Sequence, residues 1–147
     1  MQDSGAPDER PPEVGQGEGT DEAALIADLV ERESVYGLLQ RGRALMRRRH
    51  FAQAAVILQR AVHMEPGKGS LLEPLGRSYY NSGQHERAAT VFEDLLAVDP
   101  SLAYAHYGLG QSLKRLGRLK EARTHLRLAV ALQPGSPLYA QALERLG

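Results

Sequence analysis

The sequence contains no cysteine, which excludes disulfide staples, thiolate nucleophiles and cysteine-ligated metal or cluster sites. It has no tryptophan and only six tyrosines and two phenylalanines, so a core must rest on Leu, Ala and Val. Side chains of that size suit close helix-on-helix packing better than a β-sandwich. No stretch approaches the ~18 consecutive apolar residues that a membrane span requires. Residues 1–20 lack both a basic n-region and an apolar h-region and do not read as a signal peptide. These absences fit one compact unit of 147 residues in a reducing compartment, with the cytoplasm as the expected location.

The net charge is zero, but the charges are not evenly spread. Residues 1–34 hold ten acids and two bases, whereas 35–147 hold eight acids and sixteen bases. An acidic leader therefore precedes a basic body. Residues 1–19 are rich in Gly, Pro, Asp and Glu and offer little apolar area to offset chain entropy, so disorder is expected there. Segment 20–33 reads as an amphipathic helix, with Thr20 as N-cap, Asp21 and Glu22 in its first turn, and Leu25, Ile26, Leu29 and Val30 on one face. That face is expected to cover the apolar end of the basic body, or to pair with a second copy.

What is present is a period. Pro66, Pro100 and Pro134 stand 34 residues apart, and so do Gly42, Gly76, Gly110 and Ala54, Ala88, Ala122. From composition alone, an all-glycine column arises about once in a thousand trials and an all-proline column about once in six thousand. One structural unit is therefore repeated three times, at 35–68, 69–102 and 103–136. Each unit reads helix, turn, helix, turn, with first helices near 35–48, 70–82 and 103–116 and second helices near 52–64, 85–98 and 119–132. Gly83 and Gly117 sit where a left-handed residue closes a first helix, and the three prolines end the second helices. Ser70 and Glu73 are expected to form a capping box, and Pro74 to sit in a first turn, where it is tolerated. Residues 137–147 form a further helix with Leu138, Ala142 and Leu146 along one face.

These columns resemble the tetratricopeptide repeat family. Within each unit the family's small residue at position 8 is Gly42, Gly76, Gly110, its Ala at 20 is Ala54, Ala88, Ala122, and its Pro at 32 is Pro66, Pro100, Pro134. The large apolar residues at 11 and 24 are Leu45, Tyr79, Leu113 and Leu58, Phe92, Leu126. Small residues at 8 and 20 let paired helices approach, and those at 11 and 24 fill the space beside them. Position 4, often Trp in the family, is Leu38, Leu72 and His106. Position 7 is Arg41 in unit one, and position 27 is Leu95 in unit two. Arg41 points to a wet outer side of unit one, or to contact with the acidic 21–33 helix. The resemblance implies an all-α fold, a right-handed α-solenoid of three helix-turn-helix repeats closed by flanking helices, the last a capping helix.

It also implies a concave groove lined by positions 2, 5, 9, 12 and 13. In unit one these are Tyr36, Leu39, Arg43, Met46 and Arg47; in unit two, Ser70, Glu73, Arg77, Tyr80 and Asn81; in unit three, Tyr104, Tyr107, Gln111, Lys114 and Arg115. Five bases, one acid and four of the six tyrosines fall in this set. Tyr and Arg are enriched where proteins bind partners, since they offer large area with a polar handle. The expected ligand is a protein or peptide segment with acidic and apolar side chains. The family's clamp for an acidic chaperone tail uses Lys at 5 and Asn at 9 of the first unit; Leu39 and Arg43 stand there, so that specificity is not carried over.

Chemistry is sparse. His50, His63, His85, His106 and His125 occupy unrelated repeat positions, form no i, i+4 pair and belong to no HExxH motif, so no metal site is expected. His106 falls at a core position and is expected to be packed. The glycines at 108 and 110 lie inside a helix and read as packing glycines, not a phosphate loop. No cofactor and no enzymatic activity are expected. Arg47-Arg48-Arg49-His50 ends a helix, where cations offset exposed carbonyls, so neither nucleic acid nor membrane is an expected partner. The leading reading is a non-catalytic adaptor or scaffold. The alternatives are a small chaperone similar in plan to the three-repeat chaperones of type III secretion, and a self-assembling subunit, with a homodimer through 20–33 as one form. The acidic leader, tethered close by, is also expected to compete for the basic groove.

Overall fold

The computed structural model of the chain describes residues 21–29 and 34–147, and among these every regular element is a helix. Thr20, Val30 and the leader 1–19 lie outside the described residues. After α1 (21–29) come α2 (Val35–Arg47), α3 (Phe51–Met64), α4 (Gly69–Asn81), α5 (His85–Val98), α6 (Ala103–Arg115), α7 (Leu119–Leu132) and α8 (Pro137–Leu146). The helices α2, α4, α6 and α8 begin 34 residues apart, so α8 stands in the register of a fourth first helix.

The turns arise from local chemistry repeated in each unit. Past each first helix, Arg49, Gly83 and Gly117 take left-handed backbone, with φ of 64°, 84° and 80°. The amide of the next residue then reaches back to Leu45, Tyr79 or Leu113 at 2.8 to 2.9 Å, which satisfies a carbonyl the helix leaves open. Arg49 makes this turn without being glycine, at a cost of roughly 1–2 kcal/mol; its guanidinium lies 5.4 Å from the Phe51 ring centroid, a partial offset. Past each second helix, Glu65, Asp99 and Gln133 leave the helical region, with φ between −135° and −141° and ψ between 74° and 91°. Each precedes proline, whose ring disfavours helical backbone in the residue before it.

Two local expectations are corrected. The N-cap of α4 is Lys68, without a side-chain cap bond, so Ser70 and Glu73 form no capping box. The helix starts one residue early because the Lys68 carbonyl already accepts from the amides of Leu71 and Leu72. Pro74 is consequently the sixth residue of α4, beyond the first turn, and is fully buried. Side-chain caps do occur at Ser34, which accepts from the Gly37 amide at 2.9 Å, and at Ser136, which accepts from Tyr139.

Within each hairpin the glycine at position 8 lies beneath the large residue at position 24. A methyl group added at Gly42, Gly76 or Gly110 would stand 2.6 Å from Leu58, 3.0 Å from Phe92 or 2.8 Å from Leu126. Position 24 thus fills the glycine notch itself and does not sit beside it. Ala54, Ala88 and Ala122 are completely buried. The Phe92 ring is also met from the next unit by Gly108, where an added methyl would be 2.5 Å away. One step earlier, where position 24 is the smaller Leu58, the residue equivalent to Gly108 is Pro74.

From α2 onward each helix packs on its neighbour in sequence, and the first helices also touch one another: α2 on α4, α4 on α6 and α6 on α8. The second helices α3, α5 and α7 do not. A stack closer along one side than the other curves toward that side, so α2, α4, α6 and α8 line the concave face.

The flanking helices depart from expectation. Leu25, Ile26 and Leu29 of α1 are 62%, 58% and 55% exposed, so its apolar face does not cover unit one. Arg41 is exposed as well, in keeping with a wet outer side of that unit. In α8 the buried residues are Tyr139 and Ala142, whereas Leu138 is 53% exposed. The period places Tyr139, not Leu138, at the inward position.

Gly108→Ala gains about 1 kcal/mol of helix propensity but forces a methyl into Phe92, which costs about 1–3 kcal/mol. Its urea midpoint is expected to fall below that of the parent. Adding Phe92→Leu, which restores the pairing of a smaller residue with a filled position, should make the alanine tolerated; a double-mutant cycle with no coupling would contradict this packing.

Candidate partner-binding groove

At the end of the concave face formed by units one and two, Arg43, Met46 and Arg47 of α2, Phe51 of α3, and Arg77 and Asn81 of α4 surround a depression of about 400 Å³. Arg43 and Arg47 lie one turn apart on α2, and Arg77 and Asn81 one turn apart on α4. The Asn81 amide donates to the Arg77 carbonyl at 3.0 Å and closes the end of α4. The Glu73 carboxylate lies 3.5 Å from Arg77 Nε. Neither Arg43 nor Arg47 has an ion pair among the described residues.

Toward unit three the same face becomes aromatic. Tyr104 packs edge-on against Phe92 at 6.1 Å, Tyr107 lies 6.2 Å from Tyr104, and Tyr139 of α8 lies 5.0 Å from Tyr107. Burial, with lesser help from Glu73 and against the pull of Arg77, raises the Tyr104 hydroxyl to about 12, so it stays protonated as a donor. Gln111 Nε2 donates to the Tyr107 hydroxyl at 3.5 Å, while its Oε1 is shielded from water with no partner. Between the two regions the Arg115 guanidinium stands 5.9 Å from the Tyr80 ring, whose edge meets His85 at 5.1 Å.

The structure thus brings Arg43, Arg47, Arg77 and Asn81 together in one pocket with Glu73 beside it, and gathers Tyr104, Tyr107 and Gln111 in a separate wall. Tyr80 and Arg115 pair with each other. Leu39 packs into the core, Lys114 is half-buried, and Tyr36 and Ser70 are largely exposed and join neither region. Phe51 and Tyr139 belong to these regions but were not among the expected residues. Phe51 escapes a reading confined to first helices. Tyr139 stands 34 residues after the buried Ala105, so the period marks it as inward but assigns it to no groove position.

Comparison with known proteins places this arrangement. The family profile described as Tetratricopeptide repeat matches residues 74–137. The structure of MamA 41-end from Desulfovibrio magneticus RS-1 superposes with a TM-score of 0.75 at 24% identity, covering 79% of this chain and 66% of that one. Residues 74–137 are tetratricopeptide repeats. The first TPR of Spaghetti (RPAP3) bound to HSP90 peptide SRMEEVD shares the fold, with a TM-score of 0.72 at 16% identity over 78% of this chain and 90% of that one. Among curated proteins, Protein O-mannosyl-transferase TMTC1 of Homo sapiens is 38% identical over 55 residues, which is 37% of this chain and 6% of that protein. The chain spans only 6% to 12% of the length of the first curated relatives it matches.

Away from the groove, this tetratricopeptide array holds a polar pair at its third unit. His106 is almost fully buried, as expected, and its Nε2 lies 2.9 Å from the Pro100 carbonyl. A carbonyl only accepts, so Nε2 carries the proton and Nδ1 accepts from His125 Nδ1, 3.1 Å away. The rings stack at 5.4 Å. Among the described residues no group of three or more His, Cys, Asp or Glu is arranged to hold a metal ion, and no helix is long and apolar enough to cross a membrane.

Burial, and then His106, lower the affinity of His125 for a proton, against a smaller opposing effect of Glu121. The unfolded chain therefore binds a proton at His125 near the ordinary value of about 6.5, which the folded chain resists. Stability supplied by this site is present at neutral pH and is lost as pH falls through that value. The melting temperature of the parent is expected to drop between pH 7.5 and 5.5 by more than that of His125→Gln; parallel pH profiles would remove the histidine from the account.

Proposed function

We propose that this tetratricopeptide repeat chain is a non-catalytic, cytoplasmic adaptor that holds a segment of a partner protein in its concave groove. The observation that carries the reading is the division of one face into an arginine pocket, two of whose guanidiniums have no ion pair among the described residues, and a tyrosine wall. Acidic side chains of the ligand meet Arg43, Arg47 and Arg77, and its apolar side chains cover Tyr104 and Tyr107. The peptide SRMEEVD held by a repeat array of the same fold supports the class of ligand, short and acid-bearing. It does not transfer the identity, because Leu39 and Arg43 occupy the clamp positions.

A pull-down comparing the parent with Arg77→Glu/Tyr107→Ala tests this. Loss of the same partners in the double variant is expected; retention of all of them refutes the groove.

A second reading, self-association, draws on the exposed Leu25, Ile26 and Leu29 of α1. It is the property that a chaperone or a self-assembling subunit of this plan would share. Sedimentation velocity at two concentrations is then expected to show a dimer that Leu25→Glu/Leu29→Glu dissociates, whereas a monomer at both concentrations excludes this reading.

A further inference from the structure

We propose that the arginine pocket between α2 and α4 is a subsite for a phosphate monoester, a phosphorylated serine or threonine of the bound segment. The proposal rests on the groove reading above and names the chemistry of one of its ends. Three arginines from two helices line one depression of about 400 Å³, and Met46 and Phe51 add apolar surface to its lining. The acid nearest by ion pairing, Glu73, lies beside Arg77 and offsets one charge of the three. The excess of two falls on Arg43 and Arg47.

Folding accounts for only part of that excess. Like charges one turn apart on a helix oppose it by about 0.2–0.5 kcal/mol. The helix dipole accounts for Arg47, in the last turn of α2, but not for Arg43 a turn earlier. A single carboxylate would leave one of the two positive charges unmatched. A phosphate monoester carries about −1.5 to −2 charge at pH 7 and three acceptor oxygens, which suits planar guanidinium forks offering paired N–H donors. The carbon stem of the modified residue then lies on Met46 and Phe51.

A nucleic-acid backbone needs a succession of phosphate sites. Here, toward unit three, Arg115 lies over the Tyr80 ring, and the tyrosine wall comes after it. The chemistry favours one isolated phosphate, hence a phosphopeptide.

The probes are N-acetyl-phosphoserine amide and N-acetyl-glutamate amide, titrated into the full ¹⁵N-labelled chain while the arginine Nε–Hε resonances are followed. Phosphoserine is expected to move Arg43, Arg47 and Arg77 together. It should bind about ten-fold more tightly than glutamate, as the added charge and oxygen imply, and weaken below pH ~6 as the phosphate gains a proton. Arg43→Gln/Arg47→Gln should remove the response, and Arg127→Gln, exposed on α7, should keep it. A circular-dichroism melt of each variant establishes that it is folded. Equal affinity for the two probes, or shifts at other arginines only, overturns the proposal. So does displacement of phosphoserine by oligothymidylate with a salt dependence of several phosphates, which would assign the pocket to nucleic acid.

The groove reading fails separately. If Tyr107→Ala alone loses the partners while phosphoserine leaves the three arginines unmoved, the groove stands and the phosphate subsite falls. If phosphoserine binds while the partners survive Arg77→Glu/Tyr107→Ala, the subsite stands and the groove falls.

Discussion

The seating of the position-24 side chain on the position-8 glycine is the contact on which the rest of the structure depends. At Gly42, Gly76 and Gly110 the absence of a Cβ lets Leu58, Phe92 and Leu126 lie directly on the backbone of the opposing helix. Gly inside a helix sacrifices about 0.5–1 kcal/mol relative to Ala, so three of them survive only where the packing gain exceeds that. Burying a Leu or Phe fully is worth roughly 1.5–3 kcal/mol, which covers the loss and fixes the hairpin. With no tryptophan in the chain, small residues and close backbones do the work that bulk does elsewhere.

The groove arises from that contact by way of curvature. First helices that touch one another, and second helices that do not, put exposed residues of α2 and α4 closer together on the concave side. The same number of charged side chains therefore makes a stronger field inside the curve than outside it. Arg43, Arg47 and Arg77 share one depression for this reason, although they come from separate units. On the convex side the wider spacing leaves a groove of about 730 Å³ between α3 and α5. Tyr79 at its floor donates to Gln59 at 2.6 Å.

The repeat was legible in the sequence because a period needs no knowledge of tertiary contacts. Proline and glycine also act locally, so the ends of first and second helices could be placed. What escaped depended on contacts between distant residues. Ser70 and Glu73 have the spacing of a capping box, but the helix begins elsewhere because the Lys68 carbonyl takes the first bonds. The amphipathic pattern of α1 is real, yet a pattern does not say which surface receives it, and Leu25, Ile26 and Leu29 remain exposed. The groove residues were legible as a set and illegible as a map. Nothing local separates the arginine pocket from the tyrosine wall, assigns Arg115 to Tyr80, or brings Phe51 and Tyr139 to the two ends.

Units that share an interior can differ freely on their faces, and this chain uses that freedom. Positions 8, 20 and 24 are held by packing, and at position 6 Gly108 is held by the Phe92 ring that meets it from the preceding unit. Positions 9 and 13 carry no such constraint, since Arg43, Arg47, Arg77 and Asn81 touch solvent. Substitution there alters charge without altering the stack. Arg47 at the end of α2 answers the helix dipole and Arg77 is paired with Glu73, so Arg43 is the arginine at those positions that the stack itself does not call for.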